Sequence, residues 1–216
     1  NKANEYKKTE NWEKLSATLE QITKLQPNFL TVWEFQGWNL AYNVSVEFDN
    51  YHDRYYWVKR GINFLEEGNR YNEDEPRLLW YLGWVYAQKI GRADEHKEFR
   101  VLFKDDDDFH PPDRPRDERD NWLVGRQWFL KAENAVVNKG KEPRGGPLIF
   151  HSTPPMALMN FADAMGDDGI HGEIARQAWK NAARAWRDYG SRELATSFNV
   201  RIRLNDEKRL REQAKE

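Results

Sequence analysis

The sequence contains no cysteine among its 216 residues. A disulfide, a thiolate nucleophile and any zinc or iron–sulfur site built on cysteine are therefore excluded. Long apolar runs are also lacking, because no stretch approaches the roughly 18 consecutive apolar residues that indicate a membrane-spanning helix. The 34 basic and 36 acidic residues leave a formal net charge of -2, so no overall positive field favours nucleic acid or anionic lipid. We therefore predict no nucleic-acid partner and no membrane span within the chain.

The motifs of common catalytic and metal sites are missing as well. Neither G-x-S-x-G nor H-E-x-x-H occurs, and the Gly-Gly-Pro at 145–147 is not followed by the Lys-Ser/Thr of a phosphate-binding loop. Asp49, His52 and Asp53 have a metal-ligand spacing, but a second such group would be needed to complete a site. The acidic run 105–108 lacks the spacing of a calcium loop, and we interpret it as a helix exit followed by a proline-stiffened loop. We expect no cofactor, no metal and no enzymatic activity of the chain itself.

Aromatic residues are abundant instead, with 10 Trp, 9 Tyr and 11 Phe. Charged residues reach 32%, which by itself would favour disorder. Each large aromatic side chain, however, can bury on the order of 150–250 Å². We therefore predict a folded chain whose core is built from aromatic rings where Leu, Ile and Val are usual.

A spacing pattern recurs along the chain. Pro27 precedes Trp33 by six residues, and Gly37 follows that tryptophan by four. This pattern indicates a repeat unit of two helices. Trp33, Gln36, Gly37 and Leu40 are predicted to lie on the first helix of one unit. Leu15, Leu19 and Ile22 are predicted to lie on the second helix of the unit before it. Later first helices are predicted at Leu79, Leu82, Gly83 and Tyr86, then at Asn121, Val124, Gly125 and Trp128, and finally at Trp179, Ala182, Ala183 and Trp186. The second helices are predicted at Gly61, Leu65 and Gly68, and at Ala157, Phe161 and Ala164.

Glycines share one register of this pattern. Gly37, Gly83 and Gly125 each lie inside a predicted helix, where glycine costs about 1 kcal/mol relative to alanine. We infer that two helices approach closely at these positions, and that Trp33, Trp128 and Trp179 fill the gaps one turn away. The last helix also fits the pattern of a second helix through Ala175, Trp179 and Ala182, so its role stays open.

Residues 11 to about 189 resemble the tetratricopeptide-repeat (TPR) family in this pattern, most specifically over 27–42 and 61–86. The resemblance implies an all-α, TPR-like α-solenoid of about four antiparallel helix pairs, with long inserted loops near 44–55, 104–120 and 138–155. Gln36 in an apolar slot, Glu73 in place of proline and a fourth pair without glycine depart from the family. The 61–86 stretch is also similar to long bacterial proteins in which such helix pairs follow a membrane anchor.

Three segments are expected along the chain. Residues 1–10 are predicted to be a tail or the end of a preceding segment, 11–190 the TPR-like repeat domain, and 191–216 an extended arm followed by a charged helix. The arm is indicated by the alternation of Phe198, Val200, Ile202 and Leu204. We expect a piece of a longer bacterial protein that is membrane-associated only through a segment outside this chain. Its compartment and oligomeric state stay open.

In the resembled family the first helices line a concave surface. Carried onto this chain, that arrangement predicts a groove that is aromatic at one end and basic at the other. Its partner-binding residues are predicted to be Trp38, Tyr42, Trp80, Trp84, Gln88, Trp122, Arg126, Lys180, Arg184 and Arg187.

The predicted function is a scaffold that holds a partner protein or peptide in this groove, as part of a larger bacterial assembly. One alternative is a recruiting or regulatory domain of a longer enzyme whose catalytic part lies outside the chain. A metal-dependent helical enzyme using His52 is a third hypothesis. The tryptophans of the groove have a simpler interpretation too, in which they only pack against inserted loops.

Overall fold

The computed structural model describes residues 11–12, 14, 17–18, 21–23, 25–143, 146–195 and 200–205, the side chain of Asp117 excepted. The chain is mostly helical with two short strands, which confirms the predicted all-α class. The predicted N-terminal tail (1–10) and the charged helix after Asn205 lie outside the described residues. The described residues between 11 and 25 are helical.

Eight α-helices follow from residue 30 onward. They are α1 (Leu30–Trp38), α2 (Tyr51–Tyr71), α3 (Pro76–Trp84), α4 (Ile90–Arg92), α5 (His96–Asp105), α6 (Asn121–Val137), α7 (Leu148–Asp167) and α8 (Glu173–Ser191). A π-helical turn prolongs α1 (Asn39–Val44) and another joins α3 to α4 (Val85–Lys89). Short 3-10 turns cover Ser45–Glu47, Asp107–Phe109 and Arg116–Glu118. Strands β1 (Leu194–Ala195) and β2 (Arg201–Ile202) pair antiparallel, with Leu194 opposite Ile202.

Local sequence explains where the main helices begin. The Asp120 side chain accepts the backbone N–H groups of Trp122 and Leu123 at 2.8 and 3.1 Å, which caps α6. Asn50 caps α2 through the N–H of His52 at 2.8 Å. Pro76 occupies the first turn of α3, where its missing N–H has no cost.

Two predicted loops are shorter in the structure. Residues 51–55 belong to α2, so the first loop is confined to 48–50. The loop predicted at 138–155 ends at Pro147, because α7 already starts at Leu148 and carries Pro154 and Pro155 inside it. Proline normally disfavours a helix interior. Here both prolines are buried, so packing overrides the local preference.

Gly37, Gly83 and Gly125 lie where two helices approach closely, as predicted. A Cβ atom at Gly61 on α2 would lie 2.7 Å from the Gly37 carbonyl oxygen on α1 and 3.0 Å from the Cβ of Ala41. A Cβ atom at Gly125 on α6 would lie 2.9 Å from the Gly83 carbonyl oxygen on α3 and 3.1 Å from the Cβ of Ala87. Helix α6 therefore packs against α3 in the same way as α2 packs against α1.

The predicted repeat did not include this equivalence. Residues 121–130 were predicted as a first helix, but Gly125 and Phe129 meet Gly83 as Gly61 and Leu65 meet Gly37. The segment 90–120, with α4 and α5, is inserted between α3 and its partner α6.

The acidic run at 105–108 forms ion pairs within the inserted segment and with α2. Lys59 lies 2.7 Å from a carboxylate oxygen of Asp106 and 2.7 Å from one of Asp108. Asp107 pairs with Arg119 at 2.7 Å, and Asp105 pairs with Arg116. The run thus stabilises the loop, in agreement with its interpretation as a helix exit and loop.

The core lies between α1, α2 and α3, and a second cluster lies between α3, α6 and α7. Trp33 fills the first core at 1% exposure, and Gly68 leaves room for its ring. Trp128 is partly buried. Trp179 was expected to fill a gap but is 46% exposed, because α8 buries its alanine face, with Ala178 and Ala182, against α7.

The substitution Gly83→Ala tests the α3–α6 contact. The new methyl group would lie 2.6 Å from Phe129 Cδ1 and 2.9 Å from the Gly125 carbonyl oxygen, so it forces the helices apart. We expect the free energy of unfolding to fall by about 1–3 kcal/mol in urea titrations.

The matched control is Gly166→Ala, since a Cβ atom at Gly166 on α7 would meet nothing within 4 Å. This variant should be neutral or more stable by up to about 1 kcal/mol. Equal effects of the two substitutions would show that Gly83 is not a close contact.

Candidate functional site

Four aromatic side chains form a partly exposed patch on α1 and α3, called here the aromatic surface: Trp38, Tyr42, Trp80 and Trp84. The rings of Trp38 and Tyr42 stack at 6.0 Å with an interplanar angle of 19°. The rings of Trp80 and Trp84 stack at 5.0 Å and 23°. Each pair lies four residues apart along one helix, the spacing that places two side chains on the same face.

The two stacked pairs meet between the helices. Trp84 lies beside the Tyr42 hydroxyl, and Lys89 Nζ lies 5.3 Å from the centre of the Tyr42 ring. Burial raises the pKa of the Tyr42 hydroxyl, and the neighbouring Trp84 indole opposes this shift only in part. Burial also lowers the pKa of Lys89, with Arg54 adding to the effect. Tyr42 and Lys89 therefore form the floor of the surface, and Trp38, which is 39% exposed, forms its outer edge.

The position of these rings follows from the glycine contacts. Trp38 and Trp84 each follow directly after a glycine, Gly37 or Gly83, that faces another helix. Successive residues are about 100° apart around a helix, so each tryptophan points sideways from the packed face. The same relation holds one turn later, where Tyr42 follows Ala41. A repeated Gly-Trp-x-x-Ala pattern thus positions Trp38 and Trp84 of the aromatic surface.

Three other predicted groove residues lie near this surface or behind it. Trp122 is 2% exposed and packs in the same cluster as Trp80 and Trp84, so its ring belongs to the core. Arg126 on α6 is half-buried, and burial lowers the pKa of its guanidinium. Gln88 follows Ala87 on the π-helical turn after α3 and is partly exposed.

The predicted basic row lies on α8. Lys180, Arg184 and Arg187 are exposed, with Lys180 at 3.8 Å from a carboxylate oxygen of Glu173. Helix α8 packs against α7. None of the hydrogen bonds, ion pairs or ring contacts of the described residues joins this row to the aromatic surface. That the aromatic surface and the basic row are two ends of one groove therefore stays a prediction.

A cleft that the sequence did not indicate lies between the inserted segment and α6–α7. One hollow of about 380 Å³ is lined by Arg100, Lys104, Arg114 and apolar residues of α6 and α7. The Arg100 guanidinium bonds to both carboxylate oxygens of Asp168 at 2.8 and 2.7 Å, which ties α5 to the end of α7. Sequence spacing gives no signal for this site, because its walls come from helices that are far apart in the chain.

No metal centre is found in the part of the chain that the structure describes. No group of three or more histidine, aspartate or glutamate side chains there could hold a metal ion. His52 lies at the start of α2, where its backbone N–H serves the helix cap. None of the described helices is both long and apolar enough to cross a membrane.

Comparison with known proteins gives no family and no relative. No family model, no curated protein and no solved structure was found to match this chain. The functional assignment therefore depends on the chain's own residues.

The free energy of unfolding of two tryptophan variants tests whether Trp38 belongs to the aromatic surface or to the core. Trp38→Ala should lower the free energy of unfolding by about 1–2 kcal/mol, less than the loss of a buried ring, because the side chain is 39% exposed. Trp33→Ala removes a ring that is 1% exposed and should cost about 3–5 kcal/mol. Chemical denaturation of both variants gives the comparison. A loss for Trp38→Ala as large as that for Trp33→Ala would assign Trp38 to the core.

Proposed function

We propose that the chain is an interaction domain that holds a peptide segment of a partner protein on the aromatic surface. The domain is a short TPR-like solenoid of three antiparallel helix pairs, α1/α2, α3/α6 and α7/α8. The single observation that carries the proposal is the two stacked ring pairs, Trp38 on Tyr42 and Trp80 on Trp84, which lie side by side and remain partly exposed.

The packing of the helices supports a solenoid. Each member of a pair contacts the other, α3 also contacts α1 and α2 of the first pair, and α7 contacts α6 of the second. The contacts at Gly37/Gly61 and Gly83/Gly125 have the same geometry in the first two pairs. Stacking of equivalent pairs against their neighbours is the arrangement of helical-repeat proteins. Such stacks use their repeated side chains as extended binding surfaces.

Pre-ordered rings favour binding. Tryptophan and tyrosine are enriched among the residues that contribute most to interface energies, since they bury large areas. The stacking of Trp38 on Tyr42 and of Trp80 on Trp84 restricts these side chains before a partner arrives. Less conformational entropy is then lost on binding. The expected partner is a peptide with large apolar anchors, in an extended or helical conformation.

The basic row on α8 leads to a further expectation about the charge of the partner. Lys180, Arg184 and Arg187 present exposed positive charge, which would favour an acidic end of the same partner. A recruiting domain of a longer enzyme would use the same surface in the same way. A scaffold and a recruiting domain would differ in the partner that they bind, and not in the way the aromatic surface binds it.

A peptide selection tests this function. A random peptide library displayed on phage should yield binders with two or more large apolar residues. Trp38→Ala and Trp84→Ala should each weaken their binding at least tenfold, or about 1.4 kcal/mol, in fluorescence titrations. Adding Arg184→Ala to Trp84→Ala should weaken binding further for peptides with an acidic end.

The control is Trp179→Ala on α8, which removes an equally exposed tryptophan away from the aromatic surface. The affinity of Trp179→Ala for the selected peptides should equal that of the unsubstituted chain. Circular dichroism should show that all variants are folded. Selected peptides that bind Trp38→Ala and Trp84→Ala as tightly as the unsubstituted chain would contradict the proposal.

A further inference from the structure

A second surface feature is independent of the aromatic surface, namely the cleft between the inserted segment and α6–α7. It consists of two adjoining hollows, of about 380 and 490 Å³. The two hollows share Arg100, Lys104, Asp168 and Ile170. Sites for small organic molecules commonly occupy about 300–1,000 Å³ and combine an apolar lining with few polar groups.

One wall of the first hollow is cationic. Lys104 and Arg114 line it, and neither side chain has an ion pair with a described residue. Arg119 holds both residues in place, because its guanidinium donates to the Lys104 carbonyl at 3.0 Å and to the Arg114 carbonyl at 3.1 Å. Behind them Arg100 is 8% exposed, and its Nε–H is buried without a partner among the described residues.

Much of the remaining lining is apolar. Phe161 and Met165 of α7 and Leu123 of α6 line the first hollow, and Ile170 lies at its edge with 39% exposure. Phe161 packs on its far side against the cluster of Ala87 and Trp122, so its ring is supported. The cleft therefore combines supported apolar side chains with two cations that form no ion pair with a described carboxylate.

Most carboxylates in the first hollow are already engaged. Asp168 binds the Arg100 guanidinium through both oxygens. Asp120 caps α6, and its burial raises the pKa of the carboxyl group. Glu118 is exposed and remains as the one free carboxylate described there. The two cations Lys104 and Arg114 outnumber it.

We propose that this cleft binds a small amphipathic anion, with its carboxylate or phosphate on Lys104 and Arg114 and its apolar body on Phe161 and Met165. The anion gains charge-assisted hydrogen bonds, and the apolar body removes exposed side-chain surface from water. The ligand class is an organic acid or an organic phosphate with an alkyl or aryl chain.

A matched ligand series tests the proposal by isothermal titration calorimetry. Octanoate, octyl phosphate, octan-1-ol and octylammonium share one apolar chain and differ in the head group. Octanoate or octyl phosphate should bind at least fivefold more tightly than octanol, and octylammonium should bind most weakly. The comparison of the two anions identifies the preferred head group.

Two substitutions locate the site. Lys104→Met and Arg114→Met keep much of the apolar stem but remove the charge, so each should weaken anion binding roughly fivefold, the effect of losing one partly exposed charge pair. Octanol binding should not change. The control Lys141→Met removes an exposed cation from the loop between α6 and α7, outside the lining of both hollows, and should leave the affinities for all four ligands unaltered.

Three results would overturn the proposal. They are an absence of binding by both anions, equal binding of octanol and the anions, and anion affinities that Lys104→Met and Arg114→Met leave unchanged. Trp38→Ala serves as a further check, because the aromatic surface is separate from the cleft. Anion binding that is lost in Trp38→Ala would place the ligand on the aromatic surface instead.

Discussion

The close approach of helices at glycine determines the arrangement of the rest of the structure. Gly37 and Gly61 let α1 and α2 approach until the Gly37 carbonyl oxygen would lie 2.7 Å from a Cβ atom at Gly61, and Gly83 and Gly125 do the same for α3 and α6 at 2.9 Å. Inside a helix each glycine costs about 1 kcal/mol. Close packing of Leu65 and Phe129 over the opposite glycines offsets this cost, since both side chains are fully buried there.

The same contact produces the candidate binding surface. Because a glycine faces the neighbouring helix, the residue after it cannot face that helix as well. Trp38 and Trp84 occupy this next position in α1 and α3, and their rings extend over Tyr42 and Trp80. The core and the aromatic surface therefore depend on one short pattern, Gly-Trp-x-x-Ala. Loss of the glycine contact would disturb both.

The spacing of residues in the sequence was sufficient to predict individual helices and their close contacts. It predicted helices around Trp33, Gly61 and Leu79, and it predicted close contacts at the glycines, because periodicity and glycine cost are properties of short segments. It did not indicate that α6 packs on α3 as α2 packs on α1, since nothing in residues 121–130 states which helix they contact. It also predicted a loop through Pro154, where burial of both prolines outweighs their poor helix propensity. The cleft at Arg100 was missed because its walls are joined by long-range contacts, such as the bond from Arg100 to Asp168.

A double-mutant cycle at Gly83 and Phe129 tests the central claim, that α6 packs on α3 through these residues. Gly83→Ala, Phe129→Leu and the double variant are compared by their free energies of unfolding. A leucine at position 129 is smaller than the native ring and relieves part of the clash with an alanine methyl group at position 83. We therefore predict that the double variant is more stable than the sum of the two losses implies, by about 0.5–3 kcal/mol. Strictly additive losses would show that the two residues do not touch and would contradict the account.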